Sequence, residues 1–408
     1  MYNNIYYLFL LFLSFEIILY FLVHFLKSDF QWIITKKDEF PFKSKFEFNK
    51  FFKYSFDKKT GWDRKKNTSG FEILNGRKTY FNITNNGFRN TPLKNKKSLI
   101  SVFGDSYAFC RYVNDNKTWE TALEKKIKSC VKNFGVGNFG LDQSFLKYKK
   151  IKSTKSTKLI IFAFVPETIV RINSYWKHYN EFGNKFGFKP FFKLKGDQLV
   201  LKENVLYKNI KIKALKQKIF KVKKEDFFYK SKFKSYMFKF PYTVSYLRFF
   251  RRNTIIFSNM LTFKIFKFFN LKNYRKFYSK SYDKIMKDNV YQANEMYFDK
   301  YFSFHLKKMM IKINQSVKKK NKKCIFLILP QYHDIILIKT KAKNYQTFYK
   351  KLYSNSQLNI LDTTKYFLIE KNLHELYLED NYGGHLSEKG NKFIARQLYK
   401  YIKQNKFL

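Results

Sequence analysis

The longest apolar run in the chain comes first. Residues Ile5 to Leu26 are almost unbroken Leu, Phe, Ile and Tyr, enough helix to cross a hydrocarbon core about 30 Å thick. Glu16 falls near the middle, where a charge costs on the order of 3 kcal/mol; the surrounding Leu, Ile and Phe offset it. No small-residue cleavage site follows, so the pattern predicts an uncleaved, single-pass membrane anchor over 5–26. Lys27, Lys36 and Lys37 would hold the following side in the cytoplasm, but in a chain this rich in lysine that rule discriminates little.

Residues 27–95 are polar and aromatic with short alternating stretches, such as Lys78-Thr79-Tyr80-Phe81-Asn82-Ile83, and the turn signal Asn85-Asn86-Gly87 closes them. They read as a β-rich lead-in. From Ser98 the period switches repeatedly. Strands are predicted at Ser98–Phe103, Val131–Val136, Leu159–Val165, Cys324–Pro330 and Leu358–Leu361. Helices are predicted around Thr118–Glu124, at Leu141–Ile151 and Met309–Val317, and across Ile394–Tyr401. Leu159–Val165 is apolar throughout, as a strand covered on both faces should be. Strands alternating with helices imply an α/β fold with a parallel, doubly wound sheet, carried by 96–195 and 306–408. Residues 196–305 interrupt it with a basic, aromatic and mostly helical insertion.

Composition changes the picture in two places. The formal net charge is +52 over 408 residues, which ordinarily suggests nucleic acid or an anionic surface. Of the 82 basic residues only 10 are arginine, and Lys, Phe, Tyr, Asn and Ile abound together. That is the mark of A/T-rich codons. Nucleic-acid readers favour the arginine fork, so nucleic acid is disfavoured as a partner. Between Phe227 and Tyr282 there is no Asp or Glu, and Lys and Arg alternate with Phe and Tyr. Such a segment can stack single-stranded nucleic acid, lie on anionic lipid in a membrane interface, or pack its rings on the sandwich with lysines in water. The N-terminal anchor favours lipid over nucleic acid. Cys110, Cys130 and Cys324 have neither metal-ligand spacing nor a disulfide framework, and no metal or cofactor is expected.

The chemistry concentrates at two motifs. Gly104-Asp105-Ser106-Tyr107 directly follows the first predicted strand, exposing a serine at the carboxyl edge of the sheet, where such folds bind ligands. Near the other end, Asp380-Asn381-Tyr382-Gly383-Gly384-His385 opens a helix with Ser387 as N-cap. A nucleophile, an acid and a base follow in the order Ser…Asp…His. His178, His305, His333 and His374 have no comparable context. These two blocks, with Asn133-Phe134-Gly135-Val136-Gly137-Asn138-Phe139-Gly140-Leu141-Asp142-Gln143 between them, resemble the SGNH/GDSL hydrolase family of esterases, lipases and carbohydrate O-acetyl esterases or acetyltransferases.

The resemblance implies a three-layer α/β/α sandwich around five parallel strands, with Ser106 as nucleophile, His385 as base and Asp380 as the acid that orients it. Family members place that acid three residues before the histidine, where this chain has Tyr382; Glu379 is the alternative to Asp380. The Ser106 N–H is one expected oxyanion donor. Asn138 stands where the family's second-block glycine gives another, and Gly140 is positioned to substitute. The family's third-block asparagine is missing from Phe164-Val165-Pro166-Glu167, which leaves Asn173 and Asn180 to reach in. Trp176, within Ser174-Tyr175-Trp176-Lys177-His178-Tyr179-Asn180, is expected on the substrate rim. The implied activity is that of a membrane-anchored esterase acting on O-acyl groups of a glycan or another cell-envelope molecule. An O-acyltransferase and a non-catalytic scaffold of the same fold are the alternatives.

Overall fold

The computed structural model describes residues 2–42, 44–151, 155–381 and 383–408. They group into two compact units. The larger comprises Phe48–Asn173, Lys189–Lys208 and Asp288–Leu408; the smaller comprises Met1–Glu47, Ser174–Phe188 and Asn209–Lys287.

The larger unit is built on five strands: β1 (Ser98–Gly104), β2 (Cys130–Asn133), β3 (Leu159–Phe164), β4 (Lys323–Ile328) and β5 (Ile360–Asp362). Every pairing among them is parallel and the spatial order is β5-β4-β3-β1-β2. The chain moves outward from β1 to β2, then returns across β1 to β3. That reversal opens a crevice at the carboxyl ends of β1 and β3, where Ser106 lies.

Side-chain alternation explains the layers. Val102, Ile161 and Ile325 stand in register on one face, packed with Trp119 and Leu123 of the helix Trp119–Ile127 and with Ile394 and Leu398 of the closing helix Glu388–Gln404. Phe103, Phe162 and Phe326 form the next row on the opposite face. There Tyr148, from the helix Leu141–Lys150, meets Phe103 and Phe162 edge-on. Helices on both faces of a parallel sheet make the three-layer α/β/α sandwich. Capping fixes where these helices begin: the Thr118 hydroxyl accepts the Thr121 N–H, Asp299 accepts those of Tyr301 and Phe302, and Ser387 accepts that of Gly390.

The unit boundaries depart from the predicted segments. Residues 27–47 group with the smaller unit, and the lead-in includes a helix, Lys45–Tyr54, besides its hairpin Thr68–Leu74/Arg77–Ile83. Within 196–305, residues 196–208 and 288–305 belong to the larger unit. That return takes in the second strand of the hairpin Phe191–Lys195/Gln198–Lys202 and the start of the helix Lys300–Lys318. The second strand stops at Asn133, and the chain then runs against the end of the short helix Ser106–Phe109, where a Cβ at Gly135 would lie 2.3 Å from the Phe109 amide nitrogen.

The smaller unit has an aromatic core. Trp176, fully buried, stacks on Phe188 at 4.5 Å and meets Tyr179 edge-on, and Phe233 closes on Tyr179 and Phe182. Asp226 ties the Tyr175 and Trp176 amides at 2.8 and 2.9 Å. The N-terminal helix Tyr2–Lys27 also belongs here; its stretch Asn4–Lys27 is long and apolar enough to cross a membrane.

One buried acid of the larger unit gives a stability test. The Asp334 carboxylate accepts the Gln331 N–H at 2.9 Å, and burial, aided by nearby Glu167, pushes its pKa up to about 7. The folded state therefore holds this proton more tightly than the unfolded chain, and stability falls as pH rises from about 4 through 7. Asp334→Asn mimics the protonated acid. Its melting temperature should exceed wild type at pH 8, with the gain shrinking toward pH 4.

Candidate functional site

Gly104 ends β1 flush against β3: a Cβ there would lie 1.9 Å from the Ala163 carbonyl oxygen and 2.6 Å from the Ala108 Cβ. Only glycine lets the strand turn at this closeness. Asp105 follows with a fully buried carboxylate. One oxygen accepts the Tyr107 N–H at 2.8 Å and caps the short helix Ser106–Phe109. The other accepts the Val165 N–H at 3.0 Å and the Arg171 Nη1 at 3.2 Å. Ser106 is thereby held at the first helical position, where the helix itself supplies no partner for its amide.

His385 arrives on a doubled-back loop. The Leu378 N–H donates to the His385 carbonyl at 2.7 Å, and Tyr377 bridges Leu386 antiparallel. Gly383 and Gly384 turn the loop at φ 88° and 78°, left-handed values that glycine adopts without strain. The turn brings Asp380 back onto His385: its Oδ2 accepts the His385 N–H at 2.9 Å and lies 2.5 Å from Nδ1, and its Oδ1 accepts the Gly384 N–H at 3.1 Å. His385 Nε2 lies 2.8 Å from the Ser106 Oγ. Asp380, His385 and Ser106 thus form one unbroken chain. The Tyr107 hydroxyl donates to the Gly384 carbonyl at 2.6 Å, while the Tyr107 and Tyr112 rings flank the imidazole at 4.9 and 5.6 Å. The loop register brings Asp380 to the imidazole; Glu379 gives its backbone carbonyl to Asn75 Nδ2 at 3.3 Å. Tyr382 lies outside the described residues.

The remaining predicted residues are placed differently. Asn138 is left-handed at φ 68°, a conformation asparagine tolerates. The Gly140 N–H is taken up in a helix cap, donating to the Gln143 Oε1 at 3.1 Å. Asn173 spans the Ile169 carbonyl and His305 Nδ1, both at 2.7 Å. Asn180 is buried in the smaller unit and accepts from Lys232 at 3.0 Å. Trp176 is a core residue of that unit, its indole N–H bound to the Lys185 carbonyl at 2.9 Å. An aromatic run with polar neighbours reads as a substrate rim, but here the rings turn inward and leave Trp176 no open face for a sugar. Cys110 is also buried, which pushes its thiol pKa well up and away from nucleophilic use.

Two arginines hold this site together, and sequence reasoning missed both. Arg89, 3% exposed, donates to the carbonyls of Phe109, Cys110 and Val113 at 2.5, 2.8 and 2.5 Å and pairs with Asp115 at 2.7 Å. It fixes the turn that leaves the serine helix. Arg171 pairs with Glu167 at 2.7 Å and with Asp105, and reaches the Phe139 carbonyl at 3.2 Å. Glu167, which would repel an oxyanion if left alone, is thereby paired. Arginine's scarcity was the available signal.

No family model matches the chain, and no curated protein matches it. Among solved structures it is similar to a lipolytic protein of the G-D-S-L family from Desulfitobacterium hafniense DCB-2, at 8% identity and TM-score 0.35 over 74% of this chain and 98% of that one. It is also similar to the lipase/acylhydrolase from Enterococcus faecalis, at 11% identity and TM-score 0.32 over 75% and 95%. Likeness of that size carries no weight beside the site's own geometry.

Arg89→Lys puts one ammonium where a planar fork serves three carbonyls and a carboxylate. It should lower the unfolding free energy by roughly 2–4 kcal/mol, measured by urea denaturation. Lysine at the exposed Arg396 should change it by less than about 0.5 kcal/mol.

Proposed function

We propose that this protein is a serine esterase held at a membrane by its N-terminal helix. The observation that carries the reading is the unbroken Asp380–His385–Ser106 chain at the carboxyl edge of the sheet. In this mechanism the Ser106 Oγ attacks an ester carbonyl while His385 Nε2 takes its proton. Asp380 holds the other ring nitrogen protonated and stabilises the imidazolium. The Ser106 and Asn138 amides face the developing oxyanion. His385 then gives its proton to the departing alcohol, and water resolves the acyl-serine by the same path reversed. The substrate class, an O-acyl group on a glycan or another cell-envelope molecule, rests on the family resemblance of the three sequence blocks. The membrane location rests on the length and apolarity of Asn4–Lys27.

A fluorophosphonate probe should label the purified full-length protein at one residue, Ser106, and Ser106→Ala should abolish both labelling and hydrolysis of a short-chain p-nitrophenyl ester. Labelling that survives Ser106→Ala, or a wild type that resists the probe while hydrolysing the ester, removes the assignment.

The acid is tested separately. Asp380→Asn should lower kcat by roughly 10³–10⁴-fold, because an amide cannot stabilise the imidazolium. Glu379→Gln should stay within about threefold, since its carboxylate is not on the imidazole. Steady-state kinetics with the same ester decides, and the reverse ranking would show that the loop sits in another register.

A further inference from the structure

The smaller unit concentrates the chain's uncovered apolar surface. Among the described residues 41 large hydrophobic side chains are exposed; 15 lie within 5–25 and 10 within 240–271. Single exposed apolar residues are ordinary, but a concentration of this size marks a surface with a partner. The two segments also touch. Buried Glu16 accepts the N–H groups of Tyr242 and Thr243 at 2.6 and 2.7 Å, and Tyr242 meets Tyr20 edge-on. Further along, the Lys264 Nζ lies 3.9 Å over the Phe25 ring and 2.7 Å from Asp29. The acid in the apolar helix thus has a structural use: it satisfies two amides that open the helix Tyr242–Leu247. Unpaired amides would be costly where water is scarce.

Charge points to the partner's chemistry. Between Phe227 and Tyr282 stand 13 Lys and Arg and no Asp or Glu. At the chain's average composition that stretch would hold about four acids, so codon bias, which raises lysine, does not by itself remove them. We propose that residues 240–271 form a second lipid contact beside the N-terminal helix, lying at headgroup depth on an anionic bilayer. Phe240, Val244, Leu247, Phe250, Ile265 and Phe268, all exposed, enter the upper acyl region, while the exposed Arg248, Arg251 and Lys267 of the same segment meet lipid phosphates. Magnitudes set the depth. Arg248 and Arg251 are exposed near the end that meets Glu16, and each would cost on the order of 3 kcal/mol at the bilayer centre. At the headgroups the same charges are favourable. Glu16 then lies toward the interface, which lightens its own penalty, and Ile5–Phe15, about 16 Å of helix, is the part that enters the acyl region rather than a full crossing. The inference goes beyond the anchor proposed above, and its test reads the two separately.

Single cysteines at Leu11, Leu247, Phe268 and exposed Phe46 are labelled with bimane in the full chain, whose native cysteines are all buried. The proteins are placed on phosphatidylcholine vesicles with and without phosphatidylglycerol. On the anionic vesicles, labels at 247 and 268 should be quenched by lipid spin-labelled near the headgroup, and iodide should quench them about fivefold less than the label at 46. Without phosphatidylglycerol that shielding should weaken. The label at 11 should respond best to a deep spin label. Iodide reaching 247 and 268 as freely as 46 overturns the proposal while a lipid-quenched Leu11 keeps the anchor. An iodide-accessible Leu11 removes the anchor instead, and shielding at 247 and 268 would still uphold the lipid contact. Shielding produced only by single-stranded RNA overturns it in favour of nucleic acid.

Discussion

The larger unit turns on the Asp105 carboxylate. A fully buried charge is tolerated only when its lone pairs are filled, and Asp105 fills them from three directions: the Tyr107 amide of the serine helix, the Val165 amide beyond β3, and the Arg171 guanidinium. One side chain therefore joins the end of β1 to the element that carries the nucleophile and to the neighbouring strand's exit. Arg171 extends the joint to Phe139, beside Asn138. The two backbone segments proposed to face an oxyanion are thus fixed to each other through one buried pair. Removing Arg171 would take the paired cation from both the Asp105 and Glu167 carboxylates, so this part of the site is preorganised by its own folding requirement.

Arginine usage becomes informative against that background. Codon bias explains abundant lysine, yet ten arginines remain. Arg64 lies over the Phe109 ring, Arg77 pairs with Glu388, Arg89 gathers three carbonyls, Arg111 pairs with Glu72, and Arg171 binds Asp105. Half of the arginines therefore brace the serine helix or the histidine loop. Arg89 and Arg171 meet several acceptors at once and Arg64 lies over a ring face, demands that a point charge serves poorly. Where drift makes lysine the default, an arginine in the sequence is a marker for a geometric demand.

How much was legible in the sequence follows from the range of each interaction. The five strands were visible because a buried parallel strand writes a continuous apolar run, and Leu159–Phe164 shows it most plainly. Ser106, Asp380 and His385, which the structure brings within hydrogen-bond reach, stood out in the sequence because local turn chemistry surrounds them: glycine before the serine and two glycines before the histidine. What failed was long-range. Nothing near Trp176 says that Phe188 and Tyr179 will enclose it, and nothing near Asn180 says that Lys232 will claim its side chain. The boundaries at Glu47, Asn173 and Lys287 were hidden because the chain passes between units within continuous aromatic and basic composition.

The five-residue spacing from Asp380 to His385 is the last structural problem, and it accounts for the lead-in. Doubling the loop back needs two left-handed residues, and a glycine pair costs about 0.5–1 kcal/mol per residue in lost freedom. That freedom must be removed again for the imidazole to sit within reach of Ser106. The Tyr107 hydroxyl holds the Gly384 carbonyl and the Tyr332 N–H holds that of Gly383 at 3.1 Å. The hairpin supplies the rest. Its tip, Asn75-Gly76, is left-handed at both residues, as a tight two-residue hairpin requires. From it Asn75 reaches the Glu379 carbonyl and Arg77 reaches Glu388, just beyond the loop, at 2.8 Å. Residues 68–83 are therefore part of the site rather than a spacer after the anchor. They clamp a loop whose glycines would otherwise let the base drift from its nucleophile.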